Sequence, residues 1–254
     1  MYHQFEAIER ENANFVKRIS LRVLSAFPGH ELALFPERNR LNLFLELING
    51  HVKESFVFPN TCHPKAGRLS DGHSTDRLRI GHIGNLSLEA FYLAELVEVV
   101  KFLKHTHLEF IFAGIKNKDI ENYIRANIPN ATIVGWLDHE SLREVYEALD
   151  VGLVLYKPVD FNTDYCAPNK LYEYWSFGIP VIAPELKGLV PVFDLPLKGK
   201  LVDFANGQRA ASEIQNWINE KQYERRKELI QHFSEKLSVD LFIEKLQSRL
   251  KTLF

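Results

Sequence analysis

The sequence predicts an α/β fold: a parallel sheet with helices on both faces, preceded by a small partial α/β segment. Three observations carry this. From Leu78 onward, short apolar runs such as "LRIGHIG", "LEFIFAG" and "DVGLVLYKP" alternate with longer helical stretches. The runs are nearly continuous rather than alternating with polar residues, which marks strands buried on both faces. Between them apolar residues recur at helical spacing, as at Leu142, Val145, Tyr146 and Leu149.

The elements follow in order. Residues 2–27 carry a loose helical repeat (Phe5, Ile8, Phe15, Ile19, Leu24) that stops at Pro28-Gly29. "ELALFPE" is a short strand closed by Pro36. "RNRLNLFLELING" is a helix through Leu41, Phe44, Leu45 and Ile48, with Gly50 at its end, and "ESFVFPN" is a strand ended by Pro59. Residues 61–77, rich in Pro, Gly, Ser and charge, form the linker. The regular part begins with "LRIGHIG", a helix at 88–104 and "LEFIFAG". It goes on through helix "KDIENYIRANI", strand "ATIVGWL", helix "HESLREVYEAL" and strand "DVGLVLYKP". A helix opened by Pro168, the run "IPVIAP", "GKLVDF" and a helix at 208–220 complete it. From Gln222 the chain is helical and highly charged, and Val239, Phe242, Ile243, Leu246 and Leu250 form one apolar stripe that must be buried.

Composition narrows the function. The chain has 254 residues, 46% hydrophobic and 25% charged, with a net charge of −2, so no electrostatic footprint for nucleic acid is present. Two cysteines, Cys62 and Cys166, give neither a disulfide framework nor a metal-binding spacing. No run of about 18 apolar residues predicts a membrane span. The polar, acidic start "MYHQFEAIERENANF" reads against a signal peptide. The expected location is cytoplasmic, with peripheral contact at the inner face of a membrane left open.

In a doubly wound sheet the ligand crevice lies beyond the carboxyl ends of the strands. Gly84 in "HIGNLS" permits close approach of a ligand, and the following helix would offer free N–H groups to an anion, but a single Gly is a weak signal and a plain strand-to-helix turn is the simpler reading. Gly135 ends the strand in "IVGWL", and Trp136 either flanks a planar base or packs in the core. The polar loop from Val159 to Lys170 leads into a helix whose first turn, opened by Pro168, favours a diphosphate. Lys170 and Glu173 lie at i, i+3 on one helical face. They are either a surface ion pair worth ~0.3–0.5 kcal/mol or a grip on a ligand, the carboxylate on a ribose diol and the lysine on phosphate. Cys62, His63 and His73 share the linker without a zinc spacing, and His105 and His107 are expected to close a helix. No G-x-S-x-G, P-loop or G-x-G-x-x-G is present.

"IGHIGNLS", "LEFIFAG", "ATIVGWLDHESLREVYEALDVGLVLYKP" and "APNKLYEYWSFGIPVIAP" occur in that order. Together, over residues 78–204, they resemble the Rossmann-like, C-terminal donor-binding domain of GT-B glycosyltransferases, specifically the large retaining group often called family 4. The most specific piece is the P-N-K-L-x-E-Y-x-x-x-G-x-P-V-I-A pattern at 168–183. The resemblance implies transfer of a sugar from a nucleotide diphosphate to a glycan or lipid-linked acceptor, with retention and without a bound metal or other cofactor. It implies that Glu173 holds the ribose hydroxyls and that the backbone of Val134, Gly135 and Trp136 faces the base. Tyr165, Cys166 and Ala167 would cradle the diphosphate and sugar through their N–H groups, while Gly84 and Asn85 would meet phosphate. Leu142 and Asn169 complete the implied donor set, and Lys170 is expected to supply positive charge.

The chain also departs from that pattern. Many such enzymes carry an arginine after the glycine of the first loop and a lysine soon after. Here those positions read Asn85 and "LSLEA". Many carry an acidic residue eight positions before the ribose glutamate, where this chain has Tyr165 beside Asp164. Residues 1–60 correspond to a remnant of the acceptor domain, 61–77 to the linker, 78–232 to the nucleotide-sugar domain and 233–254 to a C-terminal helix. The expectation is therefore the donor half of a glycosyltransferase, working with a missing N-terminal domain or a partner chain. The alternatives are a non-catalytic nucleotide-sugar-binding or assembly module and, more weakly, a sugar-nucleotide epimerase.

Overall fold

The computed structural model of the chain describes residues 30–47, 52–65, 77–104 and 107–253. The helix expected at residues 2–27, the helix end expected at Ile48 to Gly50, residues 66–76 of the linker and His105 lie outside the described residues.

Six strands form one all-parallel sheet: β3 (Leu78–Ile83), β4 (Leu108–Ala113), β5 (Ala131–Val134), β6 (Val151–Leu153), β7 (Val181–Pro184) and β8 (Gly199–Val202). Their order is β5-β4-β3-β6-β7-β8. The chain thus builds outward from β3 in one direction, then returns beside β3 and builds outward in the other. That reversal places the topological switch point, where α/β sheets open a ligand crevice, between β3 and β6.

Each face of the sheet has its own core. On the first face, α2 (Leu93–Phe102), α3 (Lys118–Asn127) and α7 (Gly207–Asn219) bury Leu96, Ile124 and Ile214 against Ile80, Phe110, Phe112 and Ile182. On the second, α4 (His139–Ala148), α6 (Asn169–Ser176) and α8 (Arg226–His232) bury Tyr146, Tyr174, Trp175 and Leu229 against Ile83, Ile111 and Val181. Alternate residues of one strand supply the two cores, Phe110 and Phe112 to one and Ile111 and Ala113 to the other. A period of two with both faces covered is why the strands read as unbroken apolar runs. The short helix α5 (Phe161–Asp164) in the loop after β6 was not foreseen.

Ahead of this sheet, β1 (His30–Phe35) and β2 (Val52–Val57) pair in parallel across α1 (Arg38–Leu47), around Phe35, Leu41 and Phe44. The last helix, α9 (Val239–Leu253), returns to this small unit through Phe242, but the apolar stripe expected to be buried is only partly covered, Ile243 staying 40% exposed. Phe242 packs on Phe56 and Phe58, with centroids 6.5 and 6.0 Å away, and Arg249 bonds Glu54 at 2.8 Å.

Three local expectations need correction. The helix expected at 88–104 starts only at Leu93, because Phe91 bridges to Tyr156 and the Tyr92 N–H bonds Leu155 O at 2.7 Å; no helix N-terminus follows Gly84 directly. That helix ends at Phe102, and His107 lies in the turn before β4 rather than at a helix end. The start of the linker is not a bare tether: Cys62 Sγ lies 3.8 Å from Tyr172 O and the Lys65 N–H bonds Ser176 O at 3.1 Å, so 61–65 runs along α6.

Candidate functional site

β3 and β6 pair only at Ile80–Val151 and Gly81–Gly152, then separate. Beyond that point the Tyr174 hydroxyl takes over the task of the ladder, accepting from the Ile83 N–H at 3.0 Å and donating to Gly81 O at 3.1 Å. Its ring fills the space over Gly152, where a Cβ would meet ring carbons at 2.7 Å. The strands can therefore splay without leaving buried backbone groups unpaired.

The rim of the resulting crevice is backbone. Gly84 follows β3 with φ +136°, a conformation that only glycine adopts freely. Gly114 follows β4 and lies against it, a Cβ there being 3.5 Å from the Gly84 nitrogen; the Gly114 N–H bonds Val134 O at 3.0 Å. Gly135 follows β5 and faces open space. Each of these three strand ends thus offers a ligand backbone rather than a side chain of its own.

Opposite the rim stands the start of α6. Lys170 Nζ donates to Glu173 Oε2 at 3.1 Å and to the Tyr146 hydroxyl of α4 at 3.2 Å, and that hydroxyl donates to the same Glu173 oxygen at 2.5 Å. Lys170 is 25% and Glu173 32% exposed, so the pair is half-buried and closed into a triangle by a residue 27 positions away. A hydrogen bond to a charged group contributes about 1.5–3 kcal/mol, well above a solvated ion pair. The surface-pair reading does not describe this geometry. Burial alone would raise the Glu173 pKa, but Tyr146, Lys170 and Lys65 outweigh it and hold the carboxylate below its ordinary value. Burial first, then Tyr174 and Glu173, push the Tyr146 hydroxyl far up, so it stays a neutral donor. The site thus presents a fixed anion with a fixed cation beside it. The Lys170 side chain also reaches the rim: its Cε would lie 3.7 Å from a Cβ on Gly84.

The other expected residues distribute unevenly. Trp136 is 71% exposed, which removes the core-packing reading and leaves it on the outer rim beside Gly135. Val134 and Leu142 are half-buried and pack on the second-face core. Asn169 is exposed at the first position of α6, after Pro168 at its N-cap. Ala167 is buried, and its carbonyl accepts from Asn60 Nδ2 at 3.1 Å. Tyr165 turns toward its own loop, stacked on Phe161 at 4.3 Å with Lys187 Nζ 4.9 Å over its ring. Burial, the main cause, pushes the Cys166 thiol up. Asn85 is exposed and accepts from the Lys116 N–H at 3.4 Å, so its side chain bridges two loops. Gly84, Lys170 and Glu173 are thus brought together, while Tyr165 and Asn85 are engaged elsewhere.

Sequence reading missed Tyr146, which it counted only as part of an apolar stripe, and His82, which it read as strand. The signal available for Tyr146 was a hydroxyl inside a stripe facing a helix with a charged pair. Arg40 of α1 was missed as well: it donates to Asn162 O at 3.0 Å and to Asn162 Oδ1, docking the N-terminal unit on the loop after β6. A cavity of about 490 Å³ lies along Pro64, Lys65, Leu142, Tyr146 and Phe177, on the α4 side of the triangle.

A parallel six-stranded Rossmann-like sheet flanked by helices on both faces is the α/β architecture of GT-B structures. The family model described as glycosyl transferases group 1 matches residues 77–220, and the chain belongs to that family. No curated protein matches the chain. Solved structures do. One is Anabaena Alr3699/HepE in complex with UDP and glucose, 14% identical with a TM-score of 0.69, covering 97% of this chain and 70% of that one. Another is a mutant of S. aureus TarM in complex with UDP and other ligands, 16% identical with a TM-score of 0.66, covering 97% of this chain and 48% of that one. A third is the UDP-forming α,α-trehalose-phosphate synthase of Burkholderia xenovorans, 12% identical with a TM-score of 0.63, covering 92% and 63%. At these identities the likeness establishes the fold.

Proposed function

We propose that the chain binds a nucleotide diphosphate sugar in the crevice between β3 and β6 and acts in transfer of the sugar, with retention, to a glycan or lipid-linked acceptor. The observation that carries this is the Lys170–Glu173–Tyr146 triangle beside the glycine rim. A carboxylate kept ionised by Tyr146 and Lys170 is ready to accept both hydrogens of a ribose diol. Lys170, a compact point charge held beside the rim, suits a diphosphate. The first N–H groups of α6, at Asn169 and Lys170, favour the same anion. The exposed Trp136 ring and the open Gly135 backbone suit a base. Charge that develops on the leaving diphosphate is then met by fixed dipoles and one cation. The bound complexes of HepE with UDP-glucose support a nucleotide sugar as ligand. In this reading residues 1–60 belong to the acceptor side, 61–77 link the two sides and the C-terminal helix returns to the first. A partner chain or further acceptor-side domain completes the cleft.

One observation favours a second reading, a nucleotide-sugar-binding module without turnover. The loop from Gly84 to Tyr92 contains no lysine or arginine to neutralise a leaving diphosphate. Calorimetric titration with UDP, GDP and ADP, beside Glu173→Ala, tests the shared part of both readings. One nucleotide should bind, and the substitution should weaken it at least tenfold, or about 1.4 kcal/mol. Failure of the folded chain to bind any of the three overturns the donor site. Release of sugar onto an acceptor, against binding alone, separates the two readings.

A further inference from the structure

We propose that His82 takes up a proton when a nucleotide diphosphate sugar binds, and that its imidazolium becomes the second cation against the diphosphate, beside Lys170. This deepens the donor-site reading above and rests on it.

His82 is the penultimate residue of β3, two positions before Gly84, and only 4% exposed. Its Nδ1 lies 3.1 Å from Leu153 O, on the far side of the switch point, so Nδ1 carries the hydrogen. That leaves Nε2 a lone pair, and among the described residues this buried atom has no partner in hydrogen-bond geometry, although the Asn85 backbone lies close enough to pull the ring toward its charged form. A buried polar atom left without a partner carries a desolvation penalty of about 1–3 kcal/mol, so its retention asks for a role.

Gly84 shows where that role lies. A Cβ placed on it would meet only two atoms within 4 Å, His82 Nε2 at 3.6 Å and Lys170 Cε at 3.7 Å. The space above the Gly84 α-carbon is thus bordered by both the imidazole and the lysine, each at ordinary contact distance from one point. A phosphate oxygen entering it needs a shift of only about half an ångström to reach hydrogen-bond distance from Nε2. An oxygen anion is repelled by a lone pair and held by an N–H. The contact is favourable only after the ring gains a proton.

The surroundings set the direction. Among the described residues Lys170 of α6, itself bonded to Glu173 and to Tyr146 of α4, is the one charged group acting on the ring. From the loop after β3, Phe91 stands edge-on at 6.1 Å and separates His82 from Tyr156. From β4, Phe112 is its register partner. Within the protein, burial first and then Lys170 hold the imidazole down at about 4, against the pull of Leu153 and the Asn85 backbone, so it is neutral near pH 7. A diphosphate reverses the sign of the local field and favours the charged ring. The proton comes from solvent and returns there on release. The proposal also answers the absence of basic side chains in the Gly84–Tyr92 loop.

The test is calorimetric titration of the full chain with UDP-glucose, GDP-mannose and ADP-glucose, whose diphosphate diesters keep their charge through the range used. Each is run in phosphate and in Tris between about pH 6 and 8. Proton uptake appears as a difference in binding heat between the two buffers. Affinity should fall with rising pH, by up to about tenfold per unit while the pH lies between the free and bound pKa values. His82→Gln and His82→Phe should each abolish the uptake and flatten the profile, while binding persists at the high-pH level. Binding with no proton exchange, or uptake that persists in both variants, overturns the role given to His82 and leaves the donor site standing. No binding of any of the three sugars by the folded chain overturns the donor site itself, and this inference with it.

Discussion

On the first face of the sheet, α2, α3 and α7 close over a core of Leu, Ile, Val, Phe and Trp whose packing ends in the protein interior. On the second face, α4, α6 and α8 close over a core in which Tyr146, Tyr172, Tyr174 and Trp175 are buried. Both exclude water equally well. The second differs in that its rings carry polar tips, and these reach out of the core: Tyr174 to the backbone of β3, Tyr146 to Glu173, Trp175 Nε1 to Lys198 O at 2.8 Å. An aromatic with a polar end can be packed like a hydrophobe and still fix a neighbour's position. The Lys170–Glu173–Tyr146 triangle is therefore positioned by the second face, while the first face, through Ile80 and Phe112, seats His82 of β3.

Ile124→Ala on the first face removes a fully buried side chain and should cost about 2–5 kcal/mol in denaturant unfolding. Its nucleotide affinity should stay unchanged under conditions where it is folded; a loss of affinity would mean that the first face also shapes the triangle. His82 couples stability to pH. Its pKa of about 4 in the folded chain lies below the ordinary 6.5, so the unfolded chain binds more protons between those values. Stability is then fully present above the unfolded pKa and lost as pH falls through the folded one. The drop should be roughly 3 kcal/mol and should vanish in His82→Gln, read as unfolding midpoints along a pH series.

Tyr174→Phe leaves the Ile83 N–H without its partner where β3 and β6 part, and should cost about 1–3 kcal/mol with weakened nucleotide binding. Tyr146→Phe keeps the ring stacked on Phe177 (4.8 Å, 5°) and removes only the polar tip. Its larger effect should be on nucleotide affinity, several-fold weaker, and its smaller one on stability; the reverse order would place Tyr146 in the core alone. At the bottom of the scale, Glu121→Gln breaks the exposed pairs with Lys118 and Arg125 on α3 and should leave both the unfolding midpoint and binding unmoved.

Much of this was legible beforehand. The unbroken runs at 108–113 and 151–156 stated that both faces are covered, and the repeat through Tyr146 and Leu149 placed α4. Lys170 and Glu173 were legible as neighbours because helical geometry fixes i, i+3 contacts. What failed was whatever depends on a residue far along the chain. The start of α2 was misplaced because Tyr92 is held by Leu155; Trp136 was open to a core reading because exposure belongs to the surroundings. The 61–65 stretch looked like a tether because its partners, Tyr172 and Ser176, lie on a helix more than a hundred residues on.

By itself, the sequence determined which segments are strands and helices, that helices cover the sheet on both faces, and where glycines allow backbone to approach a ligand. These rest on period, local propensity and sterics, which act within a few residues. That β3 and β6 part, that Tyr146 closes the triangle with Lys170 and Glu173, and that His82 Nε2 and Lys170 both border Gly84 came only with the folded chain. Hydrogen bonds and fields act over a few ångströms in space. Residues distant in sequence come within that range only when the chain has folded.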